Sequence, residues 1–354
     1  MTQATSEGFG APISFDAEAA SKRKKGVQRP RFAQRFVEPS IVPPPFRDIK
    51  LFVNPYSGKR QGEKIAGDVQ QQLSVKGLEV ETIVSQYSGH LVTLAQQVDT
   101  KEGTLFVVVG GDGTLSEVIS GRLLRDPHAK EYFAIIPAGT GNSQAHDLSI
   151  SSVDSAIEAI LSGRAHGLDV ARIELTEGLP GHEAGRIVRY SHNLVTWGLG
   201  VDSTIQAEKM RWMGPIRYDV GIVLAILANK KRNATLTLNG KTVKDDFTLF
   251  LIQNTQTGGS LLPLAPGASL DDGEMDIGLL KKMNRRALLK AFGMLKSEGR
   301  HVFHPRVDYH RFTSLSIETE FPTAINVDGE NLGSTPLQME VFKQALNIMV
   351  PNLE

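Results

Sequence analysis

The sequence predicts an α/β fold in two parts: an N-terminal parallel-sheet domain and a mostly antiparallel β-sandwich domain behind it. Apolar runs at 49–53, 105–109 and 133–136 each stop at a glycine-bearing polar loop and lead into a helical stretch, the repeating unit of a parallel sheet. Beyond 163–169 the apolar runs lengthen and are joined mainly by turns, as antiparallel strands allow. With 354 residues, 40% of them hydrophobic, the chain can bury the core that two such parts need.

Residues 1–46 read as a disordered arm, rich in Ser, Ala, Gln and Pro, with a basic cluster between Lys22 and Arg35 and a closing run at Pro43, Pro44 and Pro45. The nucleotide domain is expected over 47–165. Its first strand, 49–53, ends at Asn54-Pro55-Tyr56-Ser57-Gly58-Lys59 and precedes a helix over 62–75. A second strand, 78–84, leads through Ser85 to a helix over 90–98. The central strand runs into Gly110-Gly111-Asp112-Gly113-Thr114, where Thr114 and Glu117 have the spacing of a capping box, so its helix should begin at the loop itself. The fourth strand ends in Pro137-Ala138-Gly139-Thr140-Gly141-Asn142. Parallel strands present such loops to one crevice, and three of them argue for a shared ligand.

The β-rich domain, 166–336, should hold strands at 170–176, 189–197, 234–238, 248–254, 275–280, 314–319 and 324–327, with a hairpin turn at Asn239-Gly240. Residues 337–354 are expected to return as an edge element.

Composition excludes several functions. Lys+Arg and Asp+Glu both number 39, so no global charge favours nucleic acid, and none is expected as a partner. The absence of cysteine rules out a disulfide framework, thiolate ligands and a cysteine nucleophile, and fits a cytoplasmic compartment. No apolar run approaches 18 residues, so no transmembrane span is expected. The nine histidines show no paired metal-ligand spacing.

Glycines let backbone N–H groups approach a ligand, and a helix N-terminus adds partial positive charge; together they suit phosphate. Asp112 stands in the middle of such a loop. A carboxylate there makes sense where a divalent cation or a proton transfer takes part, as in phosphoryl transfer. The plainer alternative is a strand–turn–helix whose Asp and Thr only cap.

The motifs NPYSG at 54–58, GGDGT at 110–114, PAGTGN at 137–142 and VDGE at 327–330, in that order, resemble the lipid kinases of the diacylglycerol kinase and sphingosine kinase superfamily over residues 48–345. The stretches 197–218 and 288–303 look closer to the sphingosine and ceramide kinase branch. GGDGT also occurs in NAD kinases, and an NAD kinase-like nucleotide domain is implied, but the other motifs are not the NAD kinase pattern.

The resemblance implies transfer of the γ-phosphoryl group of ATP, with Mg²⁺, to a primary hydroxyl of a lipid at a membrane surface, by a cytoplasmic, peripherally attached enzyme. It assigns Asn54, Ser57, Gly58 and Lys59 to the first nucleotide loop and Ser85 to the nucleoside. Gly110, Gly111, Gly113, Thr114, Gly139, Thr140 and Gly141 would wrap the phosphates, and Arg211 and Arg217 would fork onto them. Asp112 is either the general base or an Mg²⁺-linked carboxylate. Glu330 is the competing base, with Asp328 beside it in the nucleotide site. Glu117 serves either the nucleotide site or the helix cap.

At the turn Asp271-Asp272-Gly273-Glu274, bacterial relatives hold a structural Mg²⁺, which makes Asp272 a metal candidate against the plainer reading of a hairpin turn. For the head group the resemblance points to Asp202 and Thr204. Sphingosine kinases carry an acid where Thr204 stands, facing the substrate ammonium, so Asp202 is left as the nearest carboxylate. The expected activity is that of a sphingosine kinase-like enzyme acting on a sphingoid base. Diacylglycerol or ceramide kinase is the alternative, and an inactive lipid-binding protein a remoter one. Residues 220–228, VGIVLAILA, followed by Lys230-Lys231-Arg232, are either a buried core helix or a segment dipping into lipid head groups.

Overall fold

The computed structural model describes residues 6–13, 41–43, 45–128, 131–259 and 261–352. Strands β1 (Asp48–Val53), β2 (Glu79–Val84), β3 (Thr104–Gly110) and β4 (Tyr132–Pro137) pair in parallel in the order β2-β1-β3-β4. Strands β1 and β3 are mainly apolar and buried along their whole length, with Asp48, Lys50 and Thr104 as buried polar residues, the condition of a strand covered on both faces. The cover comes from α1 (Gly62–Val75), α2 (His90–Gln97), α3 (Asp112–Arg125) and α5 (Val153–Leu161), with the short α4 (Ser143–Asp147) following β4. Phe106 ties the layer together, with its ring 5.1 Å from that of Phe52 and 5.4 Å from that of Phe133. Each such pair adds roughly 0.5–1.5 kcal/mol beyond its buried area.

The second half is antiparallel. It contains β5 (Ala165–Glu177), β6 (Gly185–Ser191), β7 (Leu194–Gly198), β8 (Arg232–Leu238), β9 (Lys241–Gln253), β10 (Met275–Lys281), β11 (Val307–Phe312), β12 (Ser314–Thr319), β13 (Ala324–Val327) and β14 (Glu330–Met349). Helices α6 (Leu199–Lys209), α7 (Arg217–Ala228) and α8 (Arg285–Lys296) accompany them. Alternation along β9 divides the packing. Phe250 and Ile252 join a cluster with Trp197 and Met339, while Leu249 and Leu251 join one with Ile226 of α7 and Leu288 of α8, as a two-residue side-chain period requires.

The halves are hydrogen-bonded into one sheet of fourteen strands. The seam is β14, which pairs antiparallel with β5, β12 and β13 and ends parallel to β4, with Asn347 and Ile348 beside Tyr132 and Phe133. This overturns the expectation of an edge element over 337–354: the returning strand begins at Glu330 and runs through the middle of the sheet.

Other expectations also change. The run 189–197 is two strands, broken at His192-Asn193. The strand expected over 248–254 begins at Lys241, directly after the Asn239-Gly240 turn. Helix α3 starts at Asp112 with Gly111 as an N-cap that makes no side-chain bond, so the Thr114–Glu117 capping box is absent. Of the expected disordered arm, residues 1–5, 14–40 and 44 lie outside the described residues. The stretch 6–13 is docked: Phe9 sets its ring edge-on to His310 at 5.6 Å, and the Ile13 N–H donates to the Tyr309 carbonyl at 2.8 Å. Among the described residues no helix is long and apolar enough to cross a membrane.

Candidate active site

Strands β1, β3 and β4 end level with one another, Val53 beside Val109 and Gly110 beside Pro137, so their loops meet. Asn54 accepts the Tyr56 N–H through Oδ1 at 3.0 Å and donates from Nδ2 to Thr114 Oγ1 at 3.4 Å. Gly58, Lys59 and Arg60 all take left-handed backbone angles, with φ of 59°, 58° and 69°. At the two non-glycine residues this costs roughly 1–2 kcal/mol each, strain of the kind concentrated at ligand loops. Ser57 is buried beneath this turn, and Ser85 is buried at the end of β2, its N–H on the Val53 carbonyl at 2.9 Å.

The two central loops touch through glycine. A Cβ on Gly139 would lie 2.5 Å from Gly111 Cα and 2.7 Å from Asn142 Oδ1, so any side chain there would force the loops apart. Thr140 is exposed on the rim with Gly141 beside it. On the far side, a Cβ on Gly113 would meet the Asp328 carbonyl at 3.4 Å and Glu330 Oε1 at 3.7 Å. The β13–β14 turn therefore closes over the loop that carries Asp112.

Asp112 occupies both carboxylate oxygens with the start of α4, accepting the Ser143 N–H at 2.9 Å and the Gln144 N–H at 3.0 Å. These are N–H groups that a helix start leaves without partners. Its carbonyl lies 3.2 Å from Nε2 of His192, whose Nδ1 is 2.9 Å from Gln144 Oε1. Imidazole and carboxylate thus bridge the same two loops.

Asp328 is fully engaged elsewhere. Oδ1 accepts the Ser191 hydroxyl at 2.9 Å and the N–H groups of Asn193 and Leu194 at 3.2 and 2.7 Å, and Oδ2 accepts the His192 N–H at 3.3 Å. It clamps the break between β6 and β7 and holds that break against the turn that carries Glu330.

Glu117 caps a helix, but a neighbouring one: it accepts the Gly89 and Leu91 N–H groups, at 3.0 and 3.1 Å, at the start of α2. Burial raises its carboxyl above the usual range, against the pull of those N–H groups, its hydrogen bond to Glu330 and the Arg189 charge. Glu330 is pushed up to about 7, by burial first and then by the neighbouring charges of Glu117 and Asp328. Two carboxyls in contact cannot both ionise freely near neutrality.

The remaining candidates scatter. Arg217 opens α7 and donates to its neighbour Tyr218 at 3.0 Å; the side chain of Arg211 lies outside the described residues. Asp202 is held by Arg232, 2.7 and 2.8 Å from its two oxygens. Thr204 donates to the Val201 carbonyl at 2.9 Å and reaches Asn331 Oδ1 at 3.2 Å, next to Glu330. Asp272 takes the Glu274 N–H on Oδ1 at 3.0 Å and leaves a buried Oδ2 without a partner. That oxygen suits a cation, but among the described residues no three His, Asp or Glu side chains group to hold one. Sequence reasoning missed His192, Gln144 and Arg189. The polar pair His192-Asn193 inside an apolar run was the one signal available.

Known families match both halves. The diacylglycerol kinase catalytic domain covers residues 48–173, and the YegS C-terminal NAD kinase beta sandwich-like domain covers 193–350. The chain thus carries a diacylglycerol kinase catalytic domain followed by a YegS-type C-terminal domain, the make-up of a lipid kinase. It is 27% identical over 306 residues to a diacylglycerol kinase of Staphylococcus saprophyticus, spanning 86% of this chain and 95% of that one. To the diacylglycerol kinase of Bacillus subtilis it is 23% identical over 304 residues, 85% of this chain and 96% of that one. A crystal structure of a diacylglycerol kinase from Bacillus anthracis has the same fold, with a TM-score of 0.69 at 22% identity over 87% of this lipid kinase and 98% of that chain.

Proposed function

We infer that this lipid kinase transfers the γ-phosphoryl group of ATP to the primary hydroxyl of a neutral glycerolipid of the diacylglycerol type. The observation that carries the choice is the Asp202–Arg232 pair: the carboxylate expected to receive an ammonium already faces a guanidinium on both oxygens. Thr204 adds a hydroxyl, which can meet a neutral head group but cannot neutralise a cation. A buried ammonium without its carboxylate would lose roughly 2–3 kcal/mol. The sphingoid-base expectation therefore gives way to the alternative it was weighed against, and the names of the relatives agree.

ATP fits the loops, because Gly111 and Gly139 leave bare backbone where a Cβ would collide. Mg²⁺, when bound with ATP, would supply charge neutralisation at the phosphates, and among the described residues no three His, Asp or Glu side chains group to hold it apart from the nucleotide. Glu330 is the better base: a carboxyl near 7 is half ionised at neutral pH and takes up the hydroxyl proton as oxygen bonds to the γ-phosphorus and the bond to ADP breaks. Asp112, occupied on both oxygens, keeps the two glycine loops in register.

The two faces of α7 differ, and each supports one of the two readings of 220–228. Ile226 is in the core, whereas Val223, Leu224 and Leu227 are exposed, together with Trp212 at 84% and Ile216, and Lys230 and Lys231 follow on the surface. That combination supports peripheral attachment to an anionic bilayer; Val223→Gln with Leu227→Gln should weaken sedimentation with vesicles while ATP binding persists, and unchanged sedimentation would remove this face from the reading. The substrate is tested by phosphate transfer from ATP to diacylglycerol, ceramide and sphinganine. Diacylglycerol should lead, and a preference for sphinganine would overturn the assignment.

A further inference from the structure

The sheet face beneath α7 and α8 is apolar around Leu249 and Leu251 and carries polar side chains further along. Leu249, Leu251 and Gln253 alternate along β9 onto this face, and the two leucines pack with Ile226 of α7 and Leu288 of α8. Gln253 is fully buried, yet neither its amide oxygen nor its amide nitrogen has a hydrogen-bond partner. Directly across on β7 stands Leu194, and on β10 Asp276, but Asp276 is taken up by Arg311 at 3.1 Å. One row along, the buried Thr196 hydroxyl is also without a partner.

Two glycines fit this arrangement. A Cβ on Gly258 would collide with the Gln253 amide nitrogen, so glycine there lets the amide keep its place. Gly278, opposite Leu251, leaves the sheet thin: a Cβ would meet nothing nearer than 3.9 Å. The position adjoins the catalytic turn, since the carbonyl of Leu194 accepts the Asp328 N–H at 2.7 Å.

Buried polar groups in native proteins are satisfied, by protein, water or ligand. A neutral amide in an apolar wall, one strand from the phosphoryl-transfer turn, calls for a ligand that is hydrocarbon with a carbonyl acceptor at that depth. We propose that Gln253 determines specificity for the ester end of the lipid, donating from Nε2 to an acyl-ester carbonyl, with the Thr196 hydroxyl as a second donor. This rests on the diacylglycerol reading. An ether oxygen is a poor acceptor for such a donor, and a sphingoid base offers only hydrocarbon there.

The test compares kcat/KM for 1,2-diacylglycerol and 1,2-dialkylglycerol of equal chain length, in the full chain and in Gln253→Leu. The wild type should prefer the diester about tenfold. Gln253→Leu should erase that ratio by raising KM for the diester alone, with ATP binding and melting temperature unchanged or improved, because an unsatisfied amide has been removed. A ratio that survives in Gln253→Leu, or a wild type that does not discriminate, overturns the Gln253 assignment. Should Gln253→Leu not fold, Thr196→Val reads the same ratio, which must shrink for the proposal to stand. Turnover of neither glycerolipid by the wild type, with sphinganine turned over, instead overturns the substrate reading on which the proposal rests.

Discussion

In the parallel half, the groups proposed to face nucleotide are backbone donors in short loops that follow directly on β1, β3 and β4, each contiguous in sequence. In the antiparallel half the residues come from separate elements: Thr204 of α6 reaches Asn331 next to Glu330, and pairing register sets Gln253 of β9 opposite Leu194, two residues beyond His192. On the proposed reading the first arrangement would fix phosphates by shape, so a substitution there acts on the backbone. The second would set proton affinity and head-group choice through burial and pairing, so a substitution there acts on charge. Damage in one half should therefore register as nucleotide affinity and in the other as turnover or selectivity.

The sharpest contrast is between the two carboxylates once weighed as the base. Glu330→Gln should lower kcat by about 10³-fold, keep ATP affinity and remove the rise in rate as pH passes about 7; a loss under tenfold would return the role to Asp112. Asp112→Asn should cost about 10²-fold and also lower the melting temperature, because an amide N–H would face the Ser143 or Gln144 N–H. Unchanged melting would show that the loops are not tethered through this side chain.

Next in size is Gly139→Ala. With Gly111 Cα 2.5 Å from the new methyl position, the loops must separate, and ATP affinity should fall at least about tenfold while KM for lipid is kept. Equal losses for both substrates would blur the division between the halves.

A smaller effect concerns acid residues of the antiparallel half. Burial raises Asp169 and Asp276 from 3.8 to about 7, ahead of their other influences. Between those values the folded state holds more protons than the unfolded chain, so stability is fullest below about 4 and is lost as pH rises through about 7. In metal-free buffer the melting temperature at about pH 5.5 should exceed that at about pH 7.5, and Asp276→Asn should narrow the gap. A gap of the opposite sign would contradict the raised values.

The smallest change is expected of Asp202→Asn. Its partner is Arg232 and both side chains are partly exposed, so kcat/KM for diacylglycerol should stay within about threefold. A hundredfold loss would place Asp202 on the substrate after all.

The loops at Asn54, Gly111 and Gly139 were legible because each follows its strand directly and needs glycine or a turn residue for a local reason. Asp328 and Glu117 were legible as important but not in role. Which atoms a carboxylate meets depends on elements far away in sequence, β6–β7 for Asp328 and α2 for Glu117. The break at His192-Asn193 was hidden by the apolar residues on either side, and Gln253 by the strand pattern it interrupts at one residue. The partner of Asp202 was out of sight for the same reason: Arg232 lies thirty residues on, at the start of β8.

Strand β14 has a mechanical consequence. Two-lobed kinases commonly admit and release substrates by swinging one lobe against the other, but here a single strand starts at Glu330 and ends in the ladder beside β4. Swinging the halves would tear main-chain bonds along this splice. The give is confined to its irregularities, above all where Val170 faces Phe342 but Leu168 faces Leu346. There Gln344, at φ 47°, donates its N–H to Asp169 at 2.6 Å. Entry of a lipid is thereby left to the helices on the sheet's face, and the distance from glycine loops to Glu330 is held like a fixed gauge while they move.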